Sequence, residues 1–325
     1  VRLRLAMRIS FVDPEKAKAE GEKALSGSLI SSNAETAGIA QDTRSNGHSL
    51  WLISFWSEFR TSKTMIDIML NESSVEDPRL PLHFSQTEGY VKGEYSKKWQ
   101  GLPNGLPTDY LNNKDNYPDY LAANNSCIWG YNACGNWNSH AYGAGNSAPS
   151  SYYGQIVKPF IILNYAEVCF LKAEAAIRGW AGAGDAKTNY EAGIRASFEE
   201  AREDADPTYT YEPENDDAYI DGGNVKWNEG DNFETKLKKI ITQKWIGIYP
   251  NGVEAWTEFR RTGYPALTPV VASENNLIKS GEFIKKLRYI DDELSMNANA
   301  SSSSLNQGKG DGQDVRVWWD PGRYK

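Results

Sequence analysis

The sequence predicts a mostly α-helical fold built from helical hairpins, joined by long irregular loops and carrying a few short strands. The first observation behind this is the stretch 164–180, NYAEVCFLKAEAAIRGW, in which Ala166, Cys169, Phe170, Ala173, Ala176, Ile177 and Trp180 recur at three- and four-residue steps. That spacing gathers them on one helix face, and the small size of most of them lets a second helix come close. The second is the run that begins at Asp231-Asn232, where Phe233, Leu237, Ile240, Ile241, Trp245 and Ile248 share one side. The third is the stretch between the periodic segments: residues 73–156 are rich in Gly, Asn, Pro and Ser and keep no period.

In chain order, residues 1–72 read as helical. Leu3, Met7 and Ser10 already belong to a periodic run. Asp13-Pro14 marks a helix start, because proline at the first helical position gives up only a donor that the helix leaves orphaned. Ala17, Ala24 and Leu25 follow on the inner face, and a later helix carries Phe59, Met65, Ile66, Met69 and Leu70. Since Val1 stands next to a run already under way, the chain reads as N-terminally truncated, with any export signal and lipid-acceptor cysteine upstream.

Residues 73–156 read as loop-rich, with Asn112-Asn113, Asn124-Asn125 and Gly143-Ala144-Gly145-Asn146 as turn signals. Stretches of this length are uncommon in a compact domain and are usually functional or disordered. Residues 157–265 read as two helical hairpins. In the first, Gly179 and Gly182 end one helix, Asp185 caps the next, and Tyr190, Ile194, Ser197, Phe198 and Ala201 share its inner face. In the second, Pro250-Asn251-Gly252 turns the chain, and Val253, Trp256 and Phe259 continue to Gly263. Stacked hairpins of this kind resemble tetratricopeptide architecture, in degenerate form. In residues 266–325, Leu287-Arg288-Tyr289-Ile290 and the stretch 315–319 read as short strands or extended segments around a Ser- and Gly-rich excursion. The whole of 1–325 is read as one domain.

Composition narrows the function. The formal net charge is −8 and the basic residues are scattered, which argues against nucleic acid as a partner, since phosphate binding needs a concentrated positive surface. No apolar run reaches the length that spans a bilayer, and no basic segment followed by an apolar one opens the chain. Of the three cysteines, Cys169 sits on the packed face as a small hydrophobe. Cys127 and Cys134 stand in a Gly/Asn-rich segment, where a short loop disulfide is open but spacing alone does not establish its geometry.

Signals of catalysis are weak. His48, His83 and His140 show no metal-ligand spacing, and neither a Gly-x-Ser-x-Gly elbow nor a Gly-rich phosphate loop occurs. Glu167 and Glu174 tempt as a carboxylate pair, but residues seven apart on one helix are expected to pair with arginines or cap backbone groups between helices. Arg260 and Arg261, near a helix C-terminus, suit the helix dipole. The acidic positions Asp216-Asp217, Asp221 and Glu229-Gly230-Asp231 offer oxygens for calcium but lack the regular spacing of a calcium loop, so they read as solvated acidic surface. No cofactor is expected.

The chemically suggestive feature is aromatic. Between Gln86 and Pro159 there is no phenylalanine, whereas Tyr90, Tyr95, Trp99, Tyr110, Tyr117, Tyr120, Trp129, Tyr131, Trp137, Tyr142, Tyr152 and Tyr153 all occur. Tyrosine and tryptophan join a flat apolar face to a polar edge, which suits a wet interface. A pyranose ring has apolar C–H faces and outward hydroxyls, so an aromatic can stack on it while amides bind the hydroxyls. The expected ligand-binding set is Trp99, Tyr120, Trp129, Tyr131, Trp137 and Tyr142 with Asn136 and Asn138. The competing reading is that loops lying over helices need aromatic anchors, Tyr95, Trp99, Tyr152 and Tyr153 among them.

Beyond these residue-level readings, several separated segments resemble one family. NYAEVCFLKAEAAIRGW, ITQKWIGIYPNGVEAWTEFRRTGYPAL (241–267) and VRVWWD (315–320) resemble the C-terminal two thirds of SusD/RagB proteins, and LRLAMRISFVDPEKA (3–17) fits that family as well. The resemblance implies a SusD-like helical fold and a lipid-anchored protein on the outer-membrane surface. It implies non-catalytic capture of oligosaccharides, or in some members peptides, for a TonB-dependent (SusC-like) transporter. It also implies structural roles for Arg260 and Arg261. Two other classes stay open at this point: a glycoside-acting α-helical enzyme, and a protein-interaction scaffold that would use the concave helix surface.

Overall fold

The computed structural model describes residues 1–40, 60–113, 115, 124–126, 159–203, 212–297 and 308–324. Helix α1 (Arg2–Arg8) and helix α2 (Pro14–Leu25) form the first pair. Asp13 caps α2 by accepting from the Lys16 N–H at 3.1 Å, with Pro14 at the first position, as the sequence indicated. A 3₁₀ turn (Asn33–Glu35) leads into strand β1 (Ala37–Ile39), which pairs antiparallel with β2 (Phe160–Leu163), Ile39 opposite Phe160 and Ala37 opposite Leu163. The 1–72 region is therefore not wholly helical. Helix α3 (Lys63–Asn71) turns Met65, Ile66 and Met69 inward. The expected loop zone holds single turns of helix at Leu80–His83, Glu88–Val91 and Thr108–Asn112.

Helix α4 (Tyr165–Ile177) and helix α5 (Ala186–Glu203) make an antiparallel hairpin. Its direction is fixed at the Asn164 end by a 2.7 Å bond to Glu200, and further along by Phe170, whose ring sits where a Cβ on Gly193 would come within 2.8 Å. Helix α6 (Pro213–Ile220), helix α7 (Phe233–Gly247), helix α8 (Gly252–Thr262) and the short α9 (Asp291–Met296) follow. The caps are written in the sequence: Asn164, Asp185, Asn232 and Asn251 each accept from the N–H three residues on. Gly263, at φ 78°, closes α8 in the left-handed region.

Helix α4 lies at the centre and is buried on nearly every side, so its single-face reading falls short. Ala166, Phe170 and Ala173 face α5, α6 and α7, where Tyr190, Ile194, Phe198, Tyr219, Leu237, Ile240 and Ile241 complete the largest core. Leu171 and Ala175 face the other way, onto Leu3, Ala6, Met7 and Ala17 of the first pair. Trp180 lies past the end of the helix and covers Gly21, where a Cβ would come within 2.2 Å of its ring. A third core joins Met65, Ile66, Met69, Leu80, Phe84 and Trp99 to Ile246 of α7.

Several expectations are corrected. Ile177 is only partly buried, and Val253, at 76% exposed, points out from the first turn of α8. The segments 287–290 and 315–319 are not strands, because no sheet edge lies beside them to take up their backbone groups: among the described residues the sheet is β1–β2 alone. The 308–312 turn is held by Asp311, which accepts from Lys286 and from the Tyr289 N–H. No described helix is long and apolar enough to cross a membrane.

Candidate ligand-binding site

The loop zone is fastened to the helices at its root. Arg79 is fully buried and donates to both carboxylate oxygens of Asp77 (2.9 and 2.6 Å), to Ser197 Oγ on α5 (2.9 Å), to Tyr219 Oη on α6 (3.1 Å) and to Gln243 Oε1 on α7 (2.9 Å). Burial works against its charge, but Asp77 and Tyr219 outweigh that effect and keep the guanidinium ionised. A buried arginine is tolerated when its donors are all used, and here one side chain ties three helices to the start of the zone.

The expectation for Trp99 is corrected by this packing. Its ring is 6% exposed in the third core, and its Nε1 donates to Glu76 at 2.8 Å, so it is an anchor with no free face to offer a sugar. Tyr95 is half-buried and donates to Gln100 Oε1 at 2.6 Å. Tyr120, Trp129, Tyr131, Asn136, Trp137, Asn138 and Tyr142 lie outside the described residues, as do Cys127 and Cys134.

Three stretches of chain meet beside this anchor. Leu102 donates to the Thr61 carbonyl and accepts from the Lys63 N–H, both at 2.8 Å, while Ser126 donates to the Gln100 carbonyl at 2.7 Å and accepts from the Thr61 N–H at 3.3 Å. Gly101 permits the approach: a Cβ there would come within 2.5 Å of the Lys63 backbone. The chain enters the Trp/Asn-rich 127–158 stretch from Ser126, three residues before Trp129.

A cavity of about 250 Å³ opens at this junction. Its walls are Met65 of α3, Phe84, Trp245 of α7, Tyr249 and Leu267, and Arg60, Ser62, Thr64 and Asn104 add the polar groups. The Tyr249 ring stands 5.3 Å from Phe84 and 4.8 Å from His83, which fixes its plane, and burial raises its phenol above the ordinary value. Trp245 was expected inside the helical core; it is half-buried and forms a cavity wall. The clue available in sequence was that Trp245 and Tyr249 sit one turn apart at the very end of a helix, beside a Pro-Asn-Gly turn.

The carboxylates that tempted as catalysts are committed elsewhere. Glu167 accepts from Arg4 at 2.7 and 2.5 Å and lies 3.3 Å from the Lys244 ammonium. Glu174 takes both arms of Arg261 (2.7 and 2.6 Å) and Arg178 Nε at 2.9 Å. Arg261 also binds both oxygens of Glu258, and Arg8 binds both oxygens of Glu254. Burial pushes the Glu258 carboxyl up, but Arg261, Lys244 and Arg8 outweigh it and hold the group well below the usual carboxylate range. Glu174 and Glu258, held ionised in this way, cannot serve as general acids near neutrality.

Arg260 stacks on Trp256 at 3.5 Å and on Trp319 at 4.8 Å and donates to the Lys285 carbonyl, tying the C-terminal segment to α8. Asp216, Asp217 and Asp231 pair with Arg202, Arg195 and Lys239, which uses carboxylate oxygens that calcium would need. Among the described residues no group of three or more His, Cys, Asp or Glu is placed to hold a metal.

The fold agrees with comparisons against known proteins. The model of the SusD-like family, described as Susd and RagB outer membrane lipoprotein, matches residues 1–320. The chain therefore belongs to the SusD-like family. Among solved structures it is similar to a chitin-binding SusD homolog from Flavobacterium johnsoniae, with 30% identity, a TM-score of 0.71, and coverage of 98% of this chain and 61% of that one. A second, described as a chitin-binding protein, shows 27% identity, a TM-score of 0.72, and coverage of 98% and 63%. A SusD homolog from Parabacteroides distasonis shows 26% identity, a TM-score of 0.75, and coverage of 99% and 65%. The chain thus spans 61 to 65% of the length of these structures. A search of curated proteins returns no significant match.

Proposed function

We propose that this protein is a non-catalytic capture protein, lipid-anchored at the outer-membrane surface, which binds oligosaccharides and passes them to a TonB-dependent, SusC-like transporter. The observation that carries the reading is the aromatic cavity beside Thr61, which is hydrogen-bonded to Ser126, the residue that precedes the Tyr- and Trp-rich 127–158 stretch in sequence. The helices beneath it are locked by buried ion pairs, so the site sits on a rigid base. Membership of a family described as outer membrane lipoproteins supports the location, and two chitin-binding structural relatives make N-acetylated oligosaccharides the first ligands to try.

Binding through stacked rings and amides is reversible and multi-contact, which suits handing a ligand onward. The test is titration with a glycan panel, following tryptophan fluorescence for binding and reducing ends for turnover. Saturable fluorescence change without new reducing ends is the expected outcome. New reducing ends would reveal a glycoside-acting enzyme, and a response to peptides alone would move the ligand to the other class captured within the family. Co-purification with a TonB-dependent transporter from outer membranes checks the partner.

A further inference from the structure

Resting on the oligosaccharide reading above, we infer that the cavity is a single-sugar pocket: it takes one ring of the glycan, whose hydroxyls complete Thr61 and Tyr249 while its C–H face lies on Trp245. Three observations lead there. The first is a pair of hydroxyls. Thr61 Oγ1 and Tyr249 Oη are both buried, both belong to residues that line the cavity, and neither has a hydrogen-bond partner within the protein. Thr61 is 3% exposed and its backbone is already used, the N–H by the Ser126 carbonyl and the carbonyl by the Leu102 N–H. A buried hydroxyl without a partner is costly, so a ligand that supplies one is favoured at this place.

The second is that the lining is mixed. Arg60, Thr61, Ser62, Thr64 and Asn104 bring polar side chains, all but Asn104 from the 60–64 stretch, whereas Met65, Phe84, Trp245 and Leu267 bring mostly carbon. Ser62 stands at the N-cap of α3, yet its hydroxyl makes no capping bond there. A wholly apolar group in this space would leave the polar side chains without new partners, an unfavourable exchange. A pyranose ring matches both kinds of wall, since its hydroxyls both donate and accept and its C–H face suits an indole.

The third is size. At about 250 Å³ the cavity lies just below the range of about 300–1,000 Å³ that encloses a drug-sized ligand, so it has room for one ring and not for a length of chain. A longer glycan places one unit inside and leaves the rest outside. The pocket is also preformed on its carbon side: Trp245 lies in α7, and Tyr249 is set by the Phe84 ring at 5.3 Å.

The experiment is calorimetric titration of the wild type, Tyr249→Phe and Thr61→Val with chito-, cello- and malto-oligosaccharides, together with melting temperatures measured without ligand. Each substitution removes one hydroxyl and keeps the outline of the side chain. For any series that the wild type binds, each should weaken affinity about three- to tenfold, the scale of one neutral hydrogen bond. The factor should be the same for short and long members, because a single unit occupies the cavity. Melting temperatures should be unchanged or higher, since a hydroxyl bonded only by the ligand does not stabilise the free protein. A purely structural role would move the melting temperature instead.

If either substitution leaves affinity unchanged, lowers the melting temperature, or costs more affinity as the oligosaccharide lengthens, the single-sugar pocket is overturned and oligosaccharide capture stands. Failure of the wild type to bind any glycan overturns both.

Discussion

Arg261 holds α4 against α8, because it is fully buried and neutralises Glu174 and Glu258 together. Replacing it with alanine strands two carboxylates away from water, and we expect a loss of about 3–5 kcal/mol in chemical denaturation, the scale for breaking a buried pair. The same cluster sets the acid limit. Glu258 is held ionised below its unfolded value, so its contribution is complete above that value, near pH 4.3, and is lost as pH falls toward the depressed folded one. Urea midpoints should be flat from neutrality to about pH 5 and decline below about pH 4; a profile with no decline down to pH 3 would contradict the assignment. Gly21 offers a steric check, since a methyl there would enter the Trp180 ring, and Gly21→Ala should cost about 1–3 kcal/mol in the same assay.

At the scale of elements, the helices and their caps were legible because a 3.6-residue period and an Asx cap are local signals. The α4–α5 hairpin appears where the pattern placed it, with Ala173 and Phe198 buried. Ala173→Leu should overpack that interface and cost about 1–3 kcal/mol; a thermal midpoint equal to wild type would show the two helices are not packed as described. The β1–β2 ribbon was not legible, since its strands are three and four residues long and far apart in sequence. For the 287–290 and 315–319 segments, read as short strands or extended segments, the strand alternative fails: their residue types favour strands, but among the described residues the fold brings no partner edge to them. Trp99 shows the limit for single residues. Its neighbours Lys98 and Gln100 look like loop surface, while its burial depends on Glu76 and on cores contributed by α3 and α7. The cavity was illegible for a similar reason, being assembled from residues near Thr61 and Met65 together with Phe84, Asn104, Trp245, Tyr249 and Leu267, which no window of sequence contains.

For the molecule as a whole, α4 is the axle: the first helical pair packs on one side, the later hairpins on the other, and buried ion pairs cross between them from Arg4 to Glu167 and from Arg8 to Glu254. The loop zone is fastened to this body through Arg79 and Trp99, and it carries the Tyr- and Trp-rich stretch from which the binding reading began. The most direct measurement is therefore calorimetry on Trp129→Ala and Trp137→Ala with an oligosaccharide that the wild type binds, together with their melting temperatures. Oligosaccharide capture predicts binding weakened by about 1–2 kcal/mol, on the scale of aromatic contacts, with melting temperatures nearly unchanged. If both variants keep full affinity, or both lose stability by the 3–5 kcal/mol typical of removing a core tryptophan, these residues do not form the ligand platform and the account is contradicted.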